Sequence, residues 1–110
     1  MLEIKSPADL ERVLAADVAL IDFWAPWCGP CRMLAPTLEA FAEANPDVLV
    51  AKVDIDDQPA LASAFRVRSI PTLVALHNGE HRATAVGAQS KSQLGSLIEH
   101  GRRASSDYSA

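Results

Sequence analysis

Two apolar runs, VALIDFWA at 18–25 and VLVAKVDID at 48–56, flank a stretch with helical periodicity. No other feature of the chain restricts the fold as much. A strand with one solvated face alternates apolar and polar residues, whereas 18–25 is apolar on both faces except at Asp22. Such a run predicts a strand covered on both sides, as in the middle of a parallel sheet. Between the runs, Leu34, Leu38, Phe41 and Ala42 recur at helical spacing. Two strands joined by a helix form a right-handed βαβ unit with parallel strands. Pro36 falls inside that helix, where it removes a backbone donor and is expected to bend it.

The remaining segments supply cover and edges. Ser6 and Pro7 open a helix as N-cap and first residue, with Leu10, Val13 and Leu14 on one face. A weaker strand is expected over residues 2–5, and a short helix over 58–65, opened by Pro59. TLVALHNGEHRATAVG, 72–87, reads as two antiparallel strands joined at Asn78-Gly79. The last helix, 90–101, has a serine N-cap, an apolar face of Leu94, Leu97 and Ile98, and Gly101 as its C-cap. The predicted fold class is therefore α/β: a mixed sheet of four to five strands with helices on both faces. Residues 1–101 form one domain, and 102–110, RRASSDYSA, have little to bury and are expected to be a flexible tail.

Composition narrows the function classes. Ten basic residues against 14 acidic give a net charge of −4, and the one basic pair is Arg102-Arg103. A nucleic-acid partner would need a basic face, so none is expected. No apolar stretch approaches the roughly 18 residues of a membrane span, so no membrane partner is expected either. The start, MLEIKSPADLERV, is charged and interrupted by Pro7, unlike a secretory signal. A cytoplasmic location follows as the expectation, where thiols are kept reduced. A monomer is the default for such an acidic, compact chain.

Both cysteines lie in WAPWCGPCRM, at Cys28 and Cys31. A closed zinc site needs four ligands, and nothing places two of His77, His81 and His100 beside this one pair, so no metal is expected. As a staple the pair is poor, because cross-links stabilise chiefly by closing long loops. Redox chemistry uses the spacing well. The strand 18–25 ends at the motif and a helix begins near Cys28 to Pro30, with Pro30 suited to the first turn. Unpaired N–H groups and the helix dipole there favour a Cys28 thiolate. Cys31, three residues on, lies on the same helix face and reaches Cys28. In this reading Cys28 attacks and Cys31 resolves, Gly29 admits a substrate backbone, and Pro30 stiffens the turn.

Trp27-Cys28-Gly29-Pro30-Cys31 resembles the active-site signature of the thioredoxin family. DFWAPWCGPCRMLAP, followed by VDID, IPT and NG…VG, is similar to that family in order and spacing over about residues 2–101. The resemblance implies the thioredoxin fold and a general protein-disulfide reductase with no bound cofactor. It also implies disulfide-containing client proteins and recharging by a thioredoxin reductase drawing on NADPH. Oxidases and isomerases of secreted proteins usually differ between the cysteines, so Gly29-Pro30 favours a reductant.

Supporting residues carry two readings each. Asp22 shares a strand face with Leu20 and Trp24, so its carboxylate is expected to be buried with a raised pKa. It is either a strand-end carboxylate or, as the family pattern implies, the base that takes the proton of Cys31. Lys52 is either an exposed lysine or the partner of Asp22. Pro71 alone reads as a trans proline at a turn. The resemblance instead makes Ile70-Pro71 a cis-proline loop against the cysteines, with the Ile70 backbone free to pair with a client strand. Trp27, Ile70, Val86, Gly87 and Ala88 are each core residues or, together, an apolar client-binding patch around Cys28. Trp24 is a packing residue near the site, and the three histidines read as surface residues. Leu76 and His77 stand where the family pattern leads one to expect an aromatic and a basic residue.

Overall fold

In the computed structural model, which describes residues 1–103, the two apolar runs become the paired centre of a five-stranded sheet. β2 (Val18–Trp24) runs parallel to β3 (Leu49–Asp54), with α2 (Gly29–Ala44) crossing between them. β1 (Leu2–Glu3) adds to β3 in parallel, and β4 (Thr72–His77) joins the other side of β2 antiparallel. β5 (Glu80–Val86) closes that edge, giving the order β1-β3-β2-β4-β5. α1 (Pro7–Ala15), α3 (Pro59–Ala64) and α4 (Lys91–Arg103) complete the chain.

The strand alternation sorts the core into two layers. Leu20, Val50, Leu73 and Ala75 point to one face, against Leu34, Leu38 and Phe41 of α2 and Leu94 and Ile98 of α4. Ala19, Ile21, Phe23, Val53, Val74 and Leu76 point to the other, against Val13 of α1 and Ala62 of α3. β2 is buried on both faces, as its run without polar alternation requires. Phe23 has no exposed surface, and its truncation to alanine is expected to cost about 4 kcal/mol.

Local chemistry explains the element ends. The Asp9 N–H donates to Ser6 Oγ at 3.2 Å, capping α1 ahead of Pro7. Ser90 and Gln93 cap α4 reciprocally: the Gln93 N–H donates to Ser90 Oγ and the Ser90 N–H to Gln93 Oε1. The β4–β5 turn takes positive φ at both Asn78 (53°) and Gly79 (78°), the conformation that makes Asn-Gly a hairpin signal. A Cβ at Gly79 would stand 2.7 Å from the Leu14 carbonyl oxygen, so glycine is also required by close approach.

Several expectations need correction. Strand β1 is shorter than 2–5, although the Ile4 N–H still donates to the Lys52 carbonyl. α4 does not stop at Gly101 but includes Arg102 and Arg103, the first two residues of the expected tail. Gly101 is buried there, where a Cβ would meet that of Ala75 at 3.3 Å; its glycine marks close packing and not a cap. His77 is half-buried, with Nδ1 shielded from solvent, and not a surface residue. The rest of the expected tail, 104–110, lies outside the described residues.

Candidate active site

The site forms where β2 ends and α2 begins. Cys28 is the N-cap of α2, its backbone extended and its Sγ accepting the Cys31 N–H at 3.2 Å. Gly29 and Pro30 occupy the first turn, where a proline leaves no helical donor unmade. Cys28 and Cys31 are joined in a disulfide with Cα atoms 5.3 Å apart, so this is the oxidised state. Both cysteines are buried, at 5% and 3% exposure, in a small cluster with Ala25, flanked by Trp24, Ile55 and Ile70. Apart from its chain neighbours and the helix backbone, nothing lies within 4 Å of a Cβ built on Gly29, which leaves open space at that position.

The loop before β4 closes over the pair. The Ile70-Pro71 peptide is cis, and the Ile70 carbonyl oxygen lies 3.9 Å from Cys28 Sγ. Pro71 is buried and Ile70 half-buried. The Gly87 N–H donates to the Pro71 carbonyl at 2.8 Å, so the Val86–Ala88 segment is tied to the same loop. Gly87 adopts φ +94°, which selects glycine by conformation, since a Cβ there would meet nothing. Val86 is 62% exposed and Trp27 66%, unusual for large apolar side chains. A hollow of about 270 Å³ opens between Trp27, Ile55, Val67, Ser69 and Ile70. A separate hollow of about 340 Å³ between α1 and α3, lined by Ile4, Leu10 and Leu61 among others, touches neither cysteine.

Asp22 lies under α2, on the sheet face of Leu20, and is 1% exposed. Burial pushes its carboxyl up to about 6, and the Lys52 ammonium pulls against that rise. Oδ1 of Asp22 has no hydrogen-bond partner among the described residues. Lys52 is the direct neighbour of Asp22 across the β2–β3 ladder, but its Nζ stands 4.1 Å over the Trp24 ring and forms no ion pair with Asp22. Sequence reasoning thus put Lys52 beside Asp22 and missed where its charge is held. It also missed Asp56, whose Oδ2 accepts the Trp27 Nε1–H at 2.9 Å and so orients the exposed indole. The only sequence signal for Asp56 is its place in VDID; the bond spans 29 positions and no local rule predicts it. His81 is exposed, its ring 5.8 Å from that of Phe65, with a pKa lowered by partial burial. Among the described residues no group of three or more His, Cys, Asp or Glu is arranged to hold a metal ion. No helix there is long and apolar enough to cross a membrane.

Comparison with known proteins agrees with this arrangement along almost the whole described chain. The family model for thioredoxin matches residues 3–100. Thioredoxin of Haemophilus influenzae is 49% identical over 94 residues, covering 83% of this chain and 88% of its own. Thioredoxin of Alicyclobacillus acidocaldarius is 47% identical over 89 residues, covering 79% and 85%. The solved structure of a mutant thioredoxin from Halobacterium salinarum superposes with a TM-score of 0.84 at 46% identity, covering 89% of this chain and 87% of that one. With a redox-active cysteine pair at the head of α2 and relatives of this closeness, the chain belongs to the thioredoxin family of thiol–disulfide oxidoreductases.

Proposed function

We propose that the reduced protein cleaves client disulfides through Cys28 and resolves through Cys31. The Cys28 thiolate attacks one client sulfur; a Cys28–client bond forms as the client disulfide breaks and the first client thiolate leaves. Cys31, having lost its proton to Asp22, attacks Cys28 Sγ, forms the Cys28–Cys31 disulfide and releases the second client thiolate. Two electrons pass to the client, and both client sulfurs end as thiols once protonated. The observation that carries the assignment is the position of Cys28 Sγ at the α2 N-cap, accepting the Cys31 N–H. A thiolate there is stabilised by a backbone donor and by the helix dipole. Cys31, one turn inside the helix, has no such terminus.

The role of Asp22 is supported by its burial, its carboxyl raised to about 6 and its unpartnered Oδ1. A group poised there accepts a proton near neutral pH, which an ordinary aspartate does poorly. Lys52 tunes that carboxyl by charge. Trp27, Ile70, Val86, Gly87 and Ala88 bind the client, with the Ile70 backbone pairing to an extended client segment. The exposure of Trp27 and Val86, with the Gly87–Pro71 hydrogen bond that ties Val86–Ala88 to the cis-proline loop, supports this patch. Gly29, Pro30 and Pro71 shape the site.

Recharging falls to a thioredoxin reductase that draws electrons from NADPH; the protein itself holds no cofactor, and it works as a cytoplasmic monomer. Family membership supports the electron route. A related solved structure concerns thiol resolution in a yeast mitochondrial 1-Cys peroxiredoxin through glutathione and thioredoxin systems; it covers 90% of this chain and 93% of its own at 30% identity and TM-score 0.82. The test is reduction of insulin disulfides with NADPH and a thioredoxin reductase. Sustained NADPH consumption that depends on this protein is the expected result. A folded protein with two free thiols and no turnover overturns the reading.

A further inference from the structure

The Lys52 ammonium has a choice of partners that its position does not reflect. A polar cavity of about 150 Å³ is lined by Glu3, Lys5, Trp24, Lys52, Asp54 and Asp57. Three carboxylates therefore face the same space as Lys52, and Lys5 already pairs with Glu3 at 3.6 Å. Charge attraction alone would draw the Lys52 ammonium outward to Asp54 or Asp57, away from Asp22. Instead Lys52 forms no ion pair among the described residues, and its Nζ sits 4.1 Å over the Trp24 ring. The negative π-face of an indole is the strongest aromatic host for a cation.

Trp24 is placed to do this by strand period alone. It follows Asp22 by two residues on the same face of β2, and Lys52 is level with Asp22 on β3. Trp24 also packs against the cluster that contains Cys28 and Cys31. One indole thus spans the cysteine pair, the Lys52 ammonium and the outer cavity.

We propose that Trp24 is a positioning residue, whose ring holds the Lys52 ammonium beside the buried Asp22 carboxyl and denies it to Asp54, Asp57 and Glu3 of the same cavity. The proposal rests on Asp22 as the proton acceptor of Cys31, and adds the residue that fixes the charge acting on that acceptor. The charged groups that share the cavity with Lys52 are Glu3 and Lys5 from the β1 segment and Asp54 and Asp57 at and after the end of β3, while Asp22 is level with Lys52 on β2 and Trp24 packs against the cluster that holds Cys31, a thiol once reduced. Opposite charge lowers a carboxyl pKa, so losing the ammonium from its place raises the midpoint of Asp22. Opening the site to water by losing indole bulk does the reverse, because hydration relieves the burial that raised it.

The test is carbon-13 NMR titration of the Asp22 side-chain carboxyl in the oxidised protein, which needs no turnover. Lys52→Met is expected to move the midpoint up by about half a pH unit. Trp24→Leu is expected to move it up by a similar amount, and the double variant no further than Lys52→Met alone. Trp24→Phe, which keeps a π-face, restores most of the wild-type midpoint. A Trp24→Leu midpoint that is unchanged or lowered, or single effects that add in the double variant, overturns the proposal. Wild-type protein gives a second measurement independent of folding in any variant. The Lys52 ε-methylene protons are expected upfield of those of Lys5 and Lys91 through the indole ring current, and ordinary positions contradict the proposal. If Asp22→Asn keeps full reductase activity while these titrations behave as expected, the acceptor role fails and the positioning role stands.

Discussion

The two ends of β2 are built on opposite terms. At Val18, paired with His77, the sheet is closed by an Asn78-Gly79 hairpin whose backbone follows turn chemistry residue by residue. There the Asn78 N–H donates to the Asp17 carbonyl at 2.8 Å and Gly79 nests against Leu14, so the chain is pinned by local requirements. Towards Trp24, at the far end, the same strand delivers a carboxylate buried without a hydrogen bond to Oδ1, and leads into an exposed indole and a helix capped by a sulfur. Of those features the buried carboxylate costs stability, while the exposed indole and the sulfur cap add little to it. The contrast separates residues that hold the fold from residues that the fold carries.

Substitutions at the two ends should therefore diverge. The largest effect on activity is expected for Cys28→Ser, which removes the nucleophile and should lower insulin reduction by more than about 1000-fold. Serine is a good N-cap, so its melting temperature should stay close to that of the reduced wild type. Loss of both activity and fold would erase the distinction between the two ends.

Asp22→Asn should show the cost of the buried carboxylate. A carboxyl raised from 3.8 to about 6 binds its proton more tightly in the folded protein than in the unfolded one. Stability then falls as pH rises through that window, and the ionised group destabilises the fold by about 3 kcal/mol at pH 7. Denaturant unfolding should find Asp22→Asn more stable than wild type by about that much at pH 7, with the gap closing towards pH 4. A gap that does not change with pH would contradict the buried-charge account. The same variant should slow insulin reduction.

Gly79→Ala acts at the other end. Positive φ and a 2.7 Å contact with the Leu14 carbonyl predict a loss of about 1–2 kcal/mol, seen as a lower urea midpoint, with specific activity unchanged. The smallest effect is expected for Trp27→Ala. Its exposed ring contributes little to the fold, so unfolding should change by less than about 0.5 kcal/mol. The KM for a protein client should rise several-fold while a small disulfide is reduced as before. Equal effects on both substrates would remove Trp27 from the client patch.

The same contrast explains how far the sequence could be read. Element order, the βαβ centre, the hairpin and the Ser6 and Ser90 caps follow from periods of two and 3.6 and from turn residues, all local signals. The Cys28–Cys31 pairing and the burial of Asp22 were legible for the same reason, because neighbours within a strand or one helical turn decide them. The Trp27–Asp56 bond and the Lys52–Trp24 contact were not, because each depends on register between segments far apart in the chain. Gly101 misled as a helix stop because a glycine that ends a helix and one that admits a neighbour look alike in sequence. The cis peptide at Ile70-Pro71 was legible only through resemblance to the family, since local preference favours trans.

Everything proposed for the site depends on a division of labour between the two sulfurs, and trapping examines it without intermediaries. Reduced Cys31→Ser and Cys28→Ser proteins would each be mixed with a disulfide-bonded peptide and analysed by mass spectrometry. A nucleophilic Cys28 and a resolving Cys31 predict a stable mixed disulfide through Cys28 in the Cys31→Ser protein, and little or none through Cys31 in the Cys28→Ser protein. Equal trapping at both positions, or trapping mainly through Cys31, would refute that division.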